Sequence, residues 1–347
     1  MKILLTGVAG FIGSKLACEL ARRGDEVLGI DNLNDYYDVR LKYGRLAACG
    51  IYCRENPAQA RSDVSASDLP GLTGHLRFAK MDIADKAALD ALFAAEHFDK
   101  VVHLAAQAGV RNSITDPYAY LQSNLAGFLN ILEVCRHSGV KHLIYASSSS
   151  VYGLNDKLPY HEDDPVDRPV SLYAATKKSN ELMAHSYCAL YGTAMTGLRF
   201  FTVYGPWGRP DMSPMRFVSA ISRGEAIEVF NRGDMIRDFT YIDDIVAGAI
   251  RCIDHTPAPN ADGLPYRIYN LGGGHPVTLL DFIAEIEQVM GREAQKVFLP
   301  MQAGDIYQTH ADTTQLRQEV GYSPRVCLHE GIAKLVAWYR SDKNPLK

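Results

Sequence analysis

Tyr173 and Lys177 stand four residues apart in a stretch, 172–191, whose pattern predicts a helix, so both side chains project from one face. An ammonium beside a phenol favours the phenolate, which lowers the phenol's pKa and makes Tyr173 a general base suited to neutral pH. Alone, such a pair is usually a solvated helix face. Upstream, four successive serines, Ser147 to Ser150, follow the apolar run 142–146 and precede Val151-Tyr152-Gly153. Hydroxyls at the C-terminal end of a parallel strand lie where an open α/β sheet binds its ligands, and the alternative is a plain polar turn. Taken with a nucleotide fold, hydroxyl, phenol and ammonium become a triad for moving a proton.

The first 31 residues supply that fold. A β-rich run over 2–6 is followed by Gly7, Gly10 and Gly13, then by an apolar pattern of helical period through Phe11, Leu16 and Leu20, and a second apolar run over 26–30 ends at Asp31. Strand, tight turn, helix and strand make a βαβ unit that delivers a carboxylate at its end. Gly7 permits the turn, Gly10 lets backbone approach a pyrophosphate, and Gly13 lets the helix pack close to the strand. The helix N-terminus then turns its unpaired N–H groups toward phosphate. Glycines at this spacing are a weak pattern in isolation, and their context is what points to a dinucleotide. Asp31 can accept from ribose hydroxyls but repels a phosphate esterified there, and no Arg directly follows it, so NAD is expected rather than NADP.

The chain of 347 residues is 47% apolar and 22% charged, which fits a globular protein of two domains, or one domain with a lobe. A net charge of −4 without any Lys/Arg block leaves no footprint for nucleic acid or an anionic membrane. No apolar run approaches a membrane span, so a soluble cytoplasmic protein is expected. The seven cysteines, Cys18, Cys49, Cys53, Cys135, Cys188, Cys252 and Cys327, show no paired C-x-x-C, so buried thiols are expected, with no disulfide framework and no metal site.

The elements that must position these residues alternate. After Asp31 a polar, tyrosine-bearing segment covers 32–45, and the Pro/Gly/Ser-rich stretch 56–74 reads as a surface insertion. A strand over 76–81 ends at Asp82-Ile83, a helix covers about 86–96, and a buried strand runs over 100–104. Asp82 could meet an adenine amino group, and an N-cap or loop acid is an equal reading. Small Ala105 and Ala106 then allow backbone close to a cofactor. A long helix is expected over 117–139, carrying Asn124. Beyond Tyr204 the elements are shorter: helices over 214–223, 244–253, 278–290 and 329–339, and strands over 226–230, 237–241 and 266–271.

Together the glycine pattern, Asp31, Leu104-Ala105-Ala106, the serines and Tyr173-x-x-x-Lys177 resemble the extended short-chain dehydrogenase/reductases over nearly the whole chain. Finer motifs look most like the UDP-glucuronate 4-epimerases of that family: Asp35-Tyr36-Tyr37 with Arg40-Leu41-Lys42, Gln107-Ala108-Gly109-Val110-Arg111, the run Arg199 to Pro206, Gly208-Arg209-Pro210-Asp211-Met212, and Arg237-Asp238-Phe239-Thr240-Tyr241. The resemblance implies an α/β, Rossmann-type doubly wound parallel sheet with a smaller C-terminal substrate-binding lobe. The NAD-binding part would cover 1–203 and about 241–272, and the nucleotide-sugar lobe about 204–240 and 273–347. Ser148, Tyr173 and Lys177 would be the catalytic triad. Gly7, Gly10, Phe11, Ile12, Gly13, Asp31, Asn32, Asp82, Ile83, Leu104, Ala105, Ala106, Tyr173, Lys177 and Phe200 would hold NAD. Arg111, Ser148, Ser149, Ser150, Tyr173, Thr202, Arg209, Arg237, Gln302 and Asp305 would line the UDP-sugar site, with Arg237 and Asp305 at diphosphate and ribose. Helices 117–139 and 172–191 pair across a homodimer in this family.

The implied reaction inverts C4 of the sugar through a 4-keto intermediate, with Tyr173 exchanging the proton and NAD the hydride. For a glucuronate that ketone is a β-keto acid, prone to lose carbon dioxide. Ser149, Ser150 and Thr202 are the hydroxyls expected to hold the carboxylate against this, with Arg209 or Arg111 supplying charge. A 4,6-dehydratase would need an Asp-Glu pair where Ser149 and Ser150 stand. UDP-galactose 4-epimerases usually carry Asn at the place of Thr202 and Arg at that of Gln302. A decarboxylating enzyme stays open, and a non-catalytic NAD-sensing protein is disfavoured by the intact triad.

Overall fold

A computed structural model describes residues 1–52, 73–302 and 304–347, and the backbone of 62–64. Strand β1 (Lys2–Thr6) alternates its side chains, with Ile3 and Leu5 in one buried cluster and Leu4 in another, so both faces of the sheet are covered. It runs through Gly7 into α1 (Phe11–Arg22), and β2 (Glu26–Asp31) returns parallel to it, Thr6 opposite Ile30. That register leaves Asp31 level with the glycine turn. The polar, tyrosine-bearing segment, to which no element was assigned, forms α2 (Val39–Ala48), started by the Asp38 carboxylate on the Arg40 N–H. Most of the expected insertion, and Cys53, lie outside the described residues; within it, β3 (Ser62–Val64) pairs antiparallel with β4 (His75–Lys80). Cys18 and Cys49 form a disulfide between α1 and the end of α2, correcting the reading of both as free thiols, because packing of the two helices brings their Cα atoms to 5.7 Å.

The winding continues through α3 (Lys86–Ala95), β5 (Lys100–His103), the short α4 (Asn112–Thr115) and α5 (Pro117–Tyr120), α6 (Phe128–His137), β6 (His142–Ser148), α7 (Leu172–Tyr191) and β7 (Ala194–Phe200). The helix expected to run unbroken over 117–139 has a π-helical turn, Leu121–Gly127, between α5 and α6. After β8 (Thr202–Tyr204) come α8 (Ser213–Arg223), β9 (Ile227–Val229), β10 (Ile236–Tyr241), α9 (Ile242–Asp254) and β11 (Tyr266–Leu271), followed by β12 (Pro276–Thr278), α10 (Leu279–Met290), β13 (Lys296–Phe298), α11 (Thr314–Val320) and α12 (Leu328–Arg340).

The large sheet has the order β11-β7-β6-β5-β1-β2-β4-β3, with all neighbours parallel except β3. It is the doubly wound α/β sheet expected. The chain moves outward from β1 to β4 and then returns to start again at β5, so the crevice at the strands' carboxyl ends opens between β1 and β5. Strand β6 outruns β5 by three residues and ends level with β7, Ser148 beside Phe200. The serines therefore stand at that crevice. A smaller sheet, β12-β10-β8, sits above it, packed through the stacked pair Phe239 and Phe282 and the edge of Tyr204. One hydrophobic cluster runs from Ile3 and Leu5 through Ile245 to Phe282 and Val336, so the upper elements share a core with the sheet. No described helix is long and apolar enough to cross a membrane.

Candidate active site

Gly7 adopts φ +76°, and a Cβ there would meet the Ala105 nitrogen at 2.8 Å; at Gly13 it would meet the Gly7 carbonyl at 2.1 Å. The turn is thus compact because nothing but glycine fits it. Helix α1 has Gly10 as its N-cap, and no described side chain bonds its first N–H groups, which face the cavity beside Phe11 and Ile12. Across the turn, Thr6 Oγ1 accepts the Ala105 N–H at 3.1 Å and shares a 2.9 Å bond with His103 Nδ1. That bond fixes the Leu104–Ala106 backbone next to the glycines. Asp31 accepts from the N–H groups of Ala9 (3.1 Å) and Leu33 (2.8 Å), which hold its carboxylate at the cavity wall. Turn, uncapped helix and fixed carboxylate fit a dinucleotide.

All of this opens into a cavity of about 560 Å³. At its far side Ser171 caps α7 on the Ala174 N–H, so the helix begins one residue before Tyr173 and carries Tyr173 and Lys177 on the cavity side. Ser148 acts on the Tyr173 hydroxyl, drawing its pKa down, and its own Oγ accepts from Ser150 N (3.2 Å) and Ser150 Oγ (2.9 Å), which leaves its proton to turn toward the phenol. Lys177 Nζ donates to the Ala146 carbonyl at 2.9 Å. Burial pushes Lys177 down to about 8. Burial also raises Tyr173 above a phenol's usual value, and the Ser148 hydroxyl and the Arg209 charge, which pull it down, do not outweigh it. The sequence expectation had the opposite sign, because charge neighbours are visible in a sequence and desolvation is not.

The π-helical turn explains how the pieces hold together. Its Asn124 grips the Gln107 backbone in both directions, accepting from N at 2.8 Å and donating to O at 3.0 Å, and also donates to Thr176 of α7. The widened turn disturbs the helical bond pattern. Asn180 of α7 donates to the Asn124 carbonyl at 2.7 Å. Behind the serines a buried Arg199–Glu181 pair, bidentate at 2.8 and 2.9 Å, accepts the Ser147 hydroxyl at 2.6 Å and anchors the end of β6.

The chain matches the NAD dependent epimerase/dehydratase family over residues 3–272. It belongs to that family. It is 45% identical to a probable UDP-glucuronate 4-epimerase of Rhizobium meliloti, covering 99% of this chain and 98% of that one, and 42% identical to UDP-glucuronate 4-epimerase 3 of Arabidopsis thaliana, covering 97% and 76%. Among solved structures it is similar to a UDP-glucuronic acid 4-epimerase from Bacillus cereus in complex with UDP-glucuronic acid and NAD, with a TM-score of 0.83, 31% identity, and 97% and 98% of the chains covered.

Within this epimerase/dehydratase fold, the cavity wall gathers every site residue expected from the sequence except Asp82 and Gln302. Asp82 is exposed just off the wall, its carboxylate accepting from the amide of the wall residue Asn32 (3.0 Å) and from the Ala84 N–H (2.8 Å), which leaves each oxygen able to accept a further bond. Gln302 lies off the wall, its buried Oε1 without a partner among the described residues. The two candidate arginines separate. Arg111 pairs with Asp305 at 3.3 Å and stacks over Phe230, whereas the Arg209 charge reaches the Tyr173 hydroxyl. Arg209 is clamped by Asp211 through Nε (3.0 Å) and Nη2 (2.5 Å), and by the Tyr36 hydroxyl and Ala108 carbonyl. Arg237 donates to the carbonyls of Ile236, Ile306 and Tyr307, and the Asp305 charge acts on it against the cost of burial. Asn34, Tyr36 and Lys42 also line the wall. Of these, only the Asp35-Tyr36-Tyr37 and Lys42 motifs gave a sequence signal, and no spacing assigned them a role.

Proposed function

We propose that this chain interconverts UDP-glucuronate and UDP-galacturonate, a C4 epimerisation that uses tightly held NAD. The observation that carries the substrate is a cation, Arg209, acting on the same hydroxyl as Ser148, beside Ser149, Ser150 and Thr202 on one wall. The sugar carbon next to C4 bears the carboxylate in a glucuronate, so a wall of hydroxyls and one guanidinium beside the base suits it. The relatives named above act on, or are solved with, that sugar.

Tyr173 removes the proton of the 4-hydroxyl and later returns it, with Ser148 holding the reacting oxygen and Lys177 stabilising the phenolate. When bound, NAD supplies the redox chemistry by accepting the C4 hydrogen as hydride and giving it back. Ser149, Ser150, Thr202 and Arg209 keep the carboxylate's C–C bond near the ketone plane, which denies the breaking bond overlap with the carbonyl and suppresses decarboxylation. Arg237, with Arg111 and Asp305, serves diphosphate and ribose.

The NAD-binding part is 1–203 with about 241–272, and the sugar lobe about 204–240 with 273–347. These are divisions of labour over one shared core. A homodimer is supported by exposed apolar side chains on neighbouring helical segments: Tyr118 of α5, Leu121 of the π-helical turn and Leu129 of α6, and Leu182 and Leu190 of α7. A cytoplasmic location fits this chemistry. To test the reading, the purified protein is given UDP-glucuronate and, separately, UDP-glucose, without added NAD. UDP-galacturonate is expected from the first. Turnover of the neutral hexose alone would refute the uronate assignment.

A further inference from the structure

Lys42 arrives at Asp31 from a different element. It sits on α2 with its side chain buried, its Nζ 2.6 Å from Asn34 Oδ1 and 3.9 Å from Asp31 Oδ1, on the cavity wall with Asp31, Asn32 and Asn34. An ammonium has three donors, and Asn34 takes one. Three residues further on, the buried Arg45 spends its guanidinium on the Trp207 and Ala9 carbonyls and the Tyr37 hydroxyl. Lys42 also feels Asp35 and Arg209, but Asp31 is the acid that weighs most on it and the one acid felt by both Lys42 and Arg45. Two buried cations therefore face a single buried carboxylate at the end of β2.

We propose that Lys42 is a cofactor-specificity residue: with Asp31 it serves the adenosine ribose of NAD, and once Asp31 is neutral it accepts a phosphate esterified on that ribose. The choice between NAD and NADP then belongs to the pair. Asp31 excludes the phosphate in two ways, by its own charge and by occupying the cation that would otherwise bind it. Burial supports this. It lowers the Lys42 pKa, and a dianionic phosphate in the same place would favour the charged ammonium. The inference rests on the dinucleotide reading of the glycine turn.

The full-length protein and the variants Asp31→Asn, Lys42→Met and Asp31→Asn/Lys42→Met are equilibrated with equimolar NAD and NADP. Free nucleotide is removed, the protein denatured, and the two cofactors are quantified by chromatography. Asn at position 31 keeps an acceptor for one of the two N–H groups, and Asp31→Ser serves as a second variant should the first fold poorly by circular dichroism. The bound NADP to NAD ratio should rise at least about tenfold in Asp31→Asn, equivalent to about 1.4 kcal/mol, and return toward the parent value in the double variant. Lys42→Met alone should hold less NAD without gaining NADP. An equal NADP gain with and without Lys42, or no gain in either Asp31 variant, overturns the assignment while leaving NAD binding by the parent intact. A parent that retains neither nucleotide overturns the dinucleotide reading itself.

Discussion

Replacing Arg209 with Met should separate two effects that the geometry joins. The guanidinium is buried, with Nε and Nη2 committed to Asp211, Tyr36 and Ala108, so among the described residues Nη1 is left for the cavity. One charged hydrogen bond to a carboxylate is worth about 1.5–3 kcal/mol, which at about 1.4 kcal/mol per decade is a loss of roughly 10- to 150-fold in affinity for UDP-glucuronate. UDP-glucose has no carboxylate, so its Kd should change little. The second effect is shared: the Arg209 charge lowers the Tyr173 pKa, so its removal raises the base further and slows proton abstraction from either sugar. Kd for both nucleotide-sugars, measured beside kcat, therefore assigns each effect. A carboxylate no longer held in plane should also be lost as carbon dioxide, leaving a UDP-4-keto-pentose and NADH absorbance on the protein. Arg209→Met/Asp211→Asn controls for the acid left unpaired, and Thr202→Val should give a milder form of the same pattern. Equal loss of affinity for both sugars without decarboxylation would refute the carboxylate role and leave Arg209 to Tyr173 and the fold.

Tyr173→Phe should bind the nucleotide-sugar with near-normal Kd and lose turnover by orders of magnitude, and substantial residual epimerisation would sink the triad. Lys177, held by burial to about 8, loses its proton as pH rises through that value, so kcat should fall there. Lys177→Met has no proton to lose and should be slow and flat across the same range. His103 and His142 are buried neutral, each pushed down to about 3 from the usual 6.5. The unfolded chain then binds more protons below pH 6.5, so stability is full above that value and is lost as pH falls, by about 1.4 kcal/mol per pH unit for each histidine. Urea unfolding at pH 7.5 and 5.5 checks this, and His142→Gln, with the same slope as the parent, would show that His142 is not the titrating group.

What the sequence revealed depended on how local each cause is. Helix α7 and strand β11 were legible to the residue, since a capping serine, a terminal glycine and unbroken periodicity are neighbours in the chain. Helix α2 was not. It carries Gly44 in its interior, which local propensity reads as a breaker, and the reason for the glycine lies elsewhere: a Cβ there would meet the Trp207 ring at 2.7 Å. The π-helical turn was hidden for the same kind of reason, because the side chain that meets its Asn124 carbonyl is Asn180, from another helix. The site divides along the same line. Glycines, serines, Tyr173 and Lys177 announce themselves by spacing, whereas the choice between Arg111 and Arg209 turns on Asp305 taking one and the loop of Asp211 aiming the other. Asp31 shows both sides at once. Its place at the end of β2 follows from the pattern, and its electrostatic partner arrives eleven residues later, across a loop and on a helix the pattern missed. A carboxylate's preference for one cofactor is set by every charge that faces it, and a sequence orders those charges by position rather than by distance.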